Sequence, residues 1–287
     1  MILVPRAPSR HRFRVRKTTV AAVFGLMALG KSHDAVAQFI VSPLRVVLDE
    51  DAPAMSFVVS NPSDRILDIK AEWLDLAATP DGYAPAGASL RRRLSAAPYL
   101  NVEPARLRLE PGERGEVRVG VRGANLSIDG ERRSHLMFAA AASRSPLRRT
   151  GGGLMADIGL AVSTPVLLRG KGDTRDIAVA FDSARLDRDD IGDLVLVARL
   201  SASGPFSPFG ALVAEFETTA RRPAEKLAQV GNVSVPIDAN SQDVTLSLGR
   251  ASLPEGILRV RYIGEAEYEG RVFAEKSYDI ASPAVDD

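Results

Sequence analysis

Apolar and polar residues alternate with a period of two in many short segments of this 287-residue chain. Such alternation indicates β-strands with one buried face. Turn-forming residues separate the segments, and no long segment has the 3.6-residue period of an amphipathic helix. A first group of predicted strands covers 39–48, 56–60, 66–75, 107–109, 116–121, 134–138 and 154–162. Strands spaced in this way predict an all-β sandwich.

A second group of alternating segments follows a short polar linker with two glycines, at 169–173. Its predicted strands cover 177–181, 194–200, 212–216, 233–237, 244–248, 257–263 and 271–280. Seven runs of this length fit a second sandwich. We therefore predict an all-β protein with two immunoglobulin-like β-sandwich domains, at 38–170 and 171–287.

The last predicted strand of the first group has the clearest alternation. It lies between a Gly151-Gly152-Gly153 run and Pro165, and its apolar positions are Leu154, Ala156, Ile158, Leu160 and Val162. Its place late in the first domain predicts a strand that is offered to a partner. An exposed apolar edge strand also invites pairing with a second copy, so weak self-dimerisation through this strand is predicted as well.

Residues 1–37 have the pattern of a cleaved export signal. Basic residues occupy 6–17, an apolar segment covers 18–30, and Ala35-Val36-Ala37 has the small-x-small form of a cleavage site. The apolar segment is shorter than the about 20 residues that span a bilayer. We predict cleavage after Ala37, a periplasmic location and no stable membrane insertion of the remaining chain.

Composition narrows the class of function. Of the 37 basic and 36 acidic residues, seven basic residues and Asp34 lie in the predicted signal, which leaves a formal charge of −5. This balance argues against nucleic-acid binding, which needs a basic face. The chain has no cysteine, which excludes a disulfide framework, a cysteine nucleophile and thiolate metal sites.

Catalytic and metal-binding patterns are scarce. His135 is the one histidine after residue 37 and lies in a predicted strand, whereas a hydrolase triad places a histidine between a nucleophile and a carboxylate. The chain has no Gly-x-Ser-x-Gly motif, so we interpret His135 as a residue on a sandwich face. One histidine cannot supply the usual zinc ligands. We predict no enzymatic activity, no metal and no cofactor.

Three further features each have a functional and a structural interpretation. An acidic run could bind calcium or form a solvated turn; its members are Asp187, Asp189, Asp190 and Asp193. The arginine runs at 91–93 and 148–149 could dock an acidic surface or lie in solvated loops. Trp73 could stack on a ligand or pack in the core of a sandwich. In each case we favour the structural interpretation.

Several stretches resemble the N-terminal domain of the periplasmic pilus chaperones, the PapD-like family. They keep the family's order and spacing, and they are FIVSPLRVVL at 39–48, FVVSNP at 57–62, AEW at 71–73, PARLRLEPG at 104–112, VRV at 117–119 and ERRSHLMF at 131–138. The segment after the linker is assigned to the family by position.

The resemblance implies a two-domain, L-shaped chaperone that captures pilus or fimbrial subunits and delivers them to an outer-membrane usher. Such subunits lack their last strand, and the chaperone fills the open groove with its own strand, which is donor-strand complementation. The resemblance assigns this role to a set of alternating residues, Leu154, Ala156, Ile158, Leu160 and Val162. No nucleotide is needed, because burial and strand pairing drive the reaction.

The resemblance also implies a cleft in which two basic residues bind the subunit's terminal carboxylate. Arg45 matches the first of them. The second, normally a lysine, falls on Pro165, so that Arg45 alone or a neighbour such as Thr164 would complete the anchor. Arg169 matches an arginine that holds the two domains together, and Arg133 stands where the family more often has an acidic residue.

Two other functions remain as alternatives at the level of sequence. The chain could be a periplasmic or surface β-sandwich with a structural or adhesive role, which Pro165 favours. It could also be an exported sandwich enzyme that acts on glycans through a carboxylate pair, although no such pair stands out in the sequence.

Overall fold

The computed structural model describes residues 39–79, 82–123, 128–140, 160–218, 224–239 and 241–280. Two β-sandwiches follow one another along these residues. The elements of the first are β1 Ile40–Ser42, β2 Val46–Leu48, β3 Ala54–Ser60, β4 Leu67–Leu74, β5 Leu76–Thr79, β6 Gly82–Pro85, α1 Ala88–Leu94, β7 Leu100–Glu103, β8 Arg106–Leu109, β9 Arg114–Val121, β10 Glu131–Ala140 and β11 Ala161–Arg169.

Two sheets form the first sandwich. One has the strand order β1-β3-β9-β7 and the other has the order β2-β11-β10-β4-β8. Alternate residues of each strand point between the sheets: on β9, Val117 and Val119 are buried while Arg118 is exposed. Phe57 of β3 meets Phe138 of β10 edge-on across this core, with ring centroids 5.4 Å apart. The alternation in the sequence therefore predicts the buried face correctly.

The predicted strand at 39–48 is wrong in one respect, because the structure divides it into β1 and β2, which belong to different sheets. Pro43 stands at the division, where it cannot donate a ladder hydrogen bond. A second division of this kind separates β7 from β8 at Pro104. In both places the chain passes from one sheet of the sandwich to the other.

Between β4 and β7 the chain adds a hairpin and a short helix that the sequence pattern did not predict. β5 and β6 pair with each other in a separate two-stranded sheet, and α1 packs against β10. Ser134 of β10 fixes both ends of this segment, because its Oγ donates to Asp75 Oδ1 (2.6 Å) and accepts from the backbone N–H groups of Ala96 and Ala97 (3.0 Å each). The arginine run at 91–93, predicted as a loop, lies on α1 instead.

The second sandwich has seven strands in the described residues. They are β12 Ala178–Arg188, β13 Leu194–Ser203, β14 Phe209–Thr218, β15 Glu225–Ser234, β16 Ser241–Ser247, β17 Gly256–Gly264 and β18 Val272–Ile280. Their sheets have the orders β12-β13-β16 and β15-β14-β17-β18, and Tyr262 is fully buried between them. The predicted all-β class with two immunoglobulin-like sandwiches is confirmed.

One strand of the second sandwich was predicted at the wrong position. The sequence pattern placed it at 233–237, whereas β15 ends at Ser234. The register of β15 with β14 shifts twice, and these irregularities interrupt the period-two pattern. Val235 and Pro236 are buried but lie outside the ladder, so their apolar character extended the prediction beyond the strand.

The connection between the sandwiches is held by hydrogen bonds. Lys171 N–H donates to the carbonyl of Ile128 (2.9 Å), and Gly170 N–H donates to the carbonyl of Gly130 (3.0 Å). A Cβ on Gly170 would lie 2.1 Å from the Ile128 carbonyl oxygen, so this close approach requires glycine. The predicted domain boundary at residue 170 falls in this connection and stays a prediction.

Candidate partner-binding cleft

Strand β11 offers an unpaired edge. It pairs with β10 from Ala161 to Arg169, whereas β2 covers its other edge at Val166–Leu168 alone. In the described part of the chain, the outer edge of β11 is therefore open at 161–165. Open backbone N–H and C=O groups at a sheet edge can accept a strand from a partner.

The predicted donor residues lie before this edge and at its start. Leu154, Ala156 and Ile158 lie outside the described residues. Leu160 immediately precedes β11 and is 38% exposed, whereas Val162 packs against the core of the first sandwich. Because alternate residues share one face, Leu160 lies on the same side as Val162. At Leu160 this core-facing side of β11 becomes exposed to solvent.

The two residues considered for a second carboxylate contact point to opposite sides of β11. Thr164 is 1% exposed, and its hydroxyl donates to the carbonyl of Leu136 at 3.4 Å. It therefore faces the core and cannot complete an anchor with Arg45. Pro165 faces the other way and lines a cavity that Arg45 also lines.

This cavity lies between the sandwiches and has a volume of about 430 Å³. The first sandwich contributes Arg45, Arg133, Pro165 and Leu167 to its lining, and the second contributes Phe209, Asn232, Ser234 and Pro236. We call this cavity the cleft. It adjoins the open edge of β11, since Pro165 belongs to both.

Arg45 crosses from the first sandwich to the second. Its Nη1 and Nη2 donate to the two carboxylate oxygens of Glu267, at 2.9 and 2.7 Å, which is the bidentate geometry of a strong charge-assisted pair. Its guanidinium also lies 4.3 Å from the ring centroid of Phe209. Arg45 therefore already holds an internal carboxylate in this structure.

Arg169 forms a second contact between the sandwiches. Its Nε donates to Glu131 on β10 (3.0 Å), and its Nη2 donates to Glu267 (2.9 Å). The hydroxyl of Ser207 donates to the same Glu131 at 2.6 Å. Burial alone would raise the pKa of Glu267, but the hydrogen bond from Arg45 and the charges of Arg45 and Arg169 outweigh it and lower this pKa.

Sequence reasoning placed Arg169 between the domains but missed its acidic partner on β10. The resemblance pointed to position 133, where this chain has Arg133, whereas the carboxylate stands two residues earlier at Glu131. Both side chains lie on the same side of β10, because strand residues alternate. The position of Glu131 was therefore the available signal in the sequence, because a residue two places before Arg133 lies on the same face of the strand.

Arg133 forms a separate ion pair with the second sandwich. Its Nη2 lies 2.9 Å from Oδ1 and 3.1 Å from Oδ2 of Asp238, and each side chain is 3% exposed. The β5–β6 hairpin joins this pair, because Leu76 C=O accepts from Arg133 (3.1 Å) and Ala78 N–H donates to Asp238 (2.8 Å). No pattern in the sequence marks Asp238 as the partner of Arg133.

Tyr83 of the hairpin covers the same side of β10. Its ring lies 5.0 Å from the Arg133 guanidinium and 4.7 Å from the His135 ring. His135 is 3% exposed, and neither of its ring nitrogens has a hydrogen-bond partner among the described residues. Burial, assisted by the positive charge of Arg133, lowers the pKa of His135 to about 4.

The two arginines that line the cleft, and Arg169 between the sandwiches, are thus balanced by carboxylates of the protein itself. Glu131 and Glu267 neutralise Arg45 and Arg169, and Asp238 neutralises Arg133. A guanidinium has five N–H donors, and the contacts to Glu267 use two of those of Arg45. The cleft can therefore offer hydrogen bonds to a further carboxylate but carries little excess positive charge.

The acidic run and Trp73, which each had a functional and a structural interpretation, lie in surroundings that fit the structural one. Asp189 Oδ1 accepts from the N–H groups of Ile191 (3.1 Å) and Asp193 (2.9 Å), so this carboxylate closes its own turn. Trp73 packs against the core of the first sandwich. Within the described ranges, no group of three or more acidic or histidine side chains is arranged to hold a metal ion, and no helix is long and apolar enough to cross a membrane.

Comparison with known proteins gave matches among solved structures. Neither a protein-family model nor a curated protein sequence matches this chain. Solved structures of pilus chaperones are similar to it. The YadV chaperone is 10% identical, with 85% of this chain and 100% of that chain covered and a TM-score of 0.43.

Two further similar structures contain subunits. The SafB chaperone in complex with the SafA pilin, from Salmonella enterica, is 17% identical, with 84% of this chain and 96% of that chain covered and a TM-score of 0.42. The CsuC–CsuE complex of a chaperone and a tip adhesion subunit, from archaic Csu pili of Acinetobacter baumannii, is 12% identical, with 86% and 100% covered and a TM-score of 0.40. At this identity the similarities assign no residue roles to the present chain.

Proposed function

We propose that the protein is an exported chaperone that binds pilus or fimbrial subunits through β11 and the residues before it. The observation that carries this proposal is the open edge of β11 at 161–165 beside the cleft. A subunit strand can add to this edge through backbone hydrogen bonds. The family resemblance of the first sandwich supports the same function.

In this proposal the donor strand fills the open groove of the subunit. Its residues would be Leu154, Ala156, Ile158, Leu160 and Val162. Alternate side chains enter successive pockets of the groove, and each large aliphatic side chain contributes on the order of 1.5 to 3 kcal/mol when it is buried. Val162 would stay at the junction, since it packs against the core of the chaperone itself.

The proposal places the protein in the periplasm after cleavage at Ala37, with delivery of subunits to an outer-membrane usher. Arg45 would bind the subunit's terminal carboxylate while it retains Glu267. Arg133 lines the same cleft and is the other arginine within it. Pro165 offers neither a charge nor a backbone N–H, so the anchor depends on Arg45.

A structural or adhesive sandwich protein is the second candidate. The observation that favours it is the bidentate pairing of Arg45 with Glu267. A cleft whose arginines are already paired needs no ligand to complete it. Retention of subunits by the purified protein separates the two candidates.

Replacing Ile158 with Asp should abolish co-purification of small β-rich subunits from the periplasm. A buried carboxylate in an apolar groove costs several kcal/mol, which exceeds the contribution of any one donor side chain. The measurement is mass spectrometry of proteins that elute with the wild type and with the variant under native expression. The matched control is Ile191→Asp, the same change at a loop residue that is 84% exposed.

Loss of subunits from Ile158→Asp and their retention by Ile191→Asp support the donor-strand proposal. Equal retention by both variants would contradict it. If the folded wild-type protein carries no subunit at all, the structural sandwich becomes the better function.

Replacing Arg45 with Met should shorten the lifetime of the chaperone–subunit complex roughly tenfold, because truncation of a charged contact acts mainly on dissociation. The measurement is the dissociation rate of a captured subunit. Arg175→Met is the control, since Arg175 is 87% exposed. A lifetime that is unchanged by Arg45→Met would show that Arg45 does not anchor the subunit.

A further inference from the structure

A cluster of arginines lies at the end of α1, on a part of the first sandwich that the proposed function does not use. Arg91, Arg92 and Arg93 are in the last turn of this helix, and all three are exposed. Arg132 of β10 lies beside them and donates to the carbonyls of Arg92 and Arg93, at 3.4 and 2.9 Å. We call these four residues the arginine cluster.

The cluster borders a recess of about 350 Å³. Its lining includes Arg91, Arg92, Arg132 and Tyr99, and the guanidinium of Arg132 lies 5.1 Å from the ring centroid of Tyr99. The Nε of Arg132 is buried and has no hydrogen-bond partner among the described residues. A buried donor without a partner is unfavourable, so Arg132 keeps hydrogen-bonding capacity that the described residues do not use.

Positive charge in this region exceeds negative charge. Asp75 is the acidic residue in the lining. Its Oδ1 already accepts from Ser134, and its Oδ2 is 3.8 Å from Arg91 Nε. The side chains of Arg92 and Arg93 form no ion pair in the described ranges. Within the described ranges, Arg91 is thus the one arginine of the cluster that forms an ion pair with a carboxylate.

Hydrogen-bonded capping of the helix end does not account for this arrangement. Cations near a helix C-terminus interact favourably with its dipole, but the terminal carbonyls of α1 already accept from Arg132 and from Ser95 N–H. The side chains of Arg92 and Arg93 are therefore not needed as caps. Their forked donors remain available to carboxylates.

We propose that the arginine cluster binds an acidic segment of a partner protein, with one carboxylate in the recess. A concave site with planar donors fits carboxylate side chains on an extended or looped segment. A membrane surface fits less well, since none of the large apolar side chains that are strongly exposed in the described chain belongs to α1, to 95–99 or to 131–134, and interfacial binding needs such side chains. This site is separate from the β11 edge and does not depend on the proposed function.

The test uses the purified full chain and a fluorescent deca-glutamate peptide at low ionic strength. The triple variant Arg91→Gln, Arg92→Gln, Arg93→Gln should weaken peptide binding by roughly tenfold, as expected for the loss of several partly exposed ion pairs. The matched control is Arg106→Gln, Arg114→Gln, Arg118→Gln, which removes the same charge from exposed positions elsewhere on the first sandwich. Thermal unfolding of each variant confirms that the fold is retained.

Selective loss in the first triple variant supports the site. Equal loss in both triple variants would show attraction by overall charge and overturn it. Failure of the wild type to bind deca-glutamate would leave the cluster as solvated cations and overturn it too. Vesicles of phosphatidylglycerol form a second arm, and selective loss of vesicle binding, with peptide binding unchanged, would assign the surface to lipid instead.

Discussion

Replacing Asp238 with Ala should lower the free energy of unfolding by about 3 to 5 kcal/mol, the cost expected when one partner of a buried ion pair is removed. The side chains of Asp238 and Arg133 are each 3% exposed. Without the carboxylate, the guanidinium keeps its charge but loses its counter-charge, and the N–H of Ala78 loses its acceptor. Urea unfolding followed by the fluorescence of Trp73, the one tryptophan of the chain, measures the change.

The matched control is Asp243→Ala in the same sandwich. Asp243 also pairs with an arginine, Arg199, at 2.6 Å, but these side chains are 43% and 52% exposed. Surface ion pairs contribute little because water and salt screen them, so this variant should lose a small fraction of what Asp238→Ala loses. Equal losses would contradict the structural role of the Arg133–Asp238 pair.

Strand positions and the buried face could be predicted from sequence where one strand alternates without interruption. β9 is an example, because Val117 and Val119 alternate with the exposed Arg118. α1 could not be predicted in this way. It has seven residues, which is about two turns, whereas an average helix has three or four. A helix this short is held by its contacts with β10, and it is too short to show a clear periodicity in sequence.

The arginines of the cleft could be located from the resemblance, but their partners could not. Arg45 and Glu267 are 222 positions apart in the sequence, and Arg133 and Asp238 are 105 positions apart. Such pairs depend on how the two sandwiches pack, and no local pattern around Asp238 or Glu267 marks them. The same packing decides that Arg45 is already paired, which changes the electrostatics of the predicted carboxylate anchor.

His135 alone should reduce the stability of the protein by up to about 3 kcal/mol as the pH falls from about 6.5 to about 4. Burial, together with the charge of Arg133, lowers the pKa of His135 in the folded protein from 6.5 to about 4, and the carboxylates of Asp238 and Asp75 oppose this shift without reversing it. In this window the unfolded chain binds a proton that the folded protein does not bind. Each unit of pKa difference corresponds to about 1.36 kcal/mol. Urea unfolding at a series of pH values measures the loss.

The variant His135→Leu should remove this pH dependence, because leucine fills a similar volume and does not titrate. Loss of stability at lower pH should remain, since the lowered pKa of Glu267 contributes stability that is present above its ordinary value of 4.5 and is lost as the pH falls through the folded value. The loss of stability due to His135 therefore begins near pH 6.5, whereas the loss due to Glu267 begins only near pH 4.5.

His135 is also the one histidine among the described residues, since His11 and His33 precede Phe39. Histidine is the side chain whose ordinary pKa lies between pH 5 and 8. An unchanged slope between pH 6.5 and 5 in His135→Leu would consequently show that His135 is solvated or hydrogen-bonded in solution and not buried beneath Tyr83.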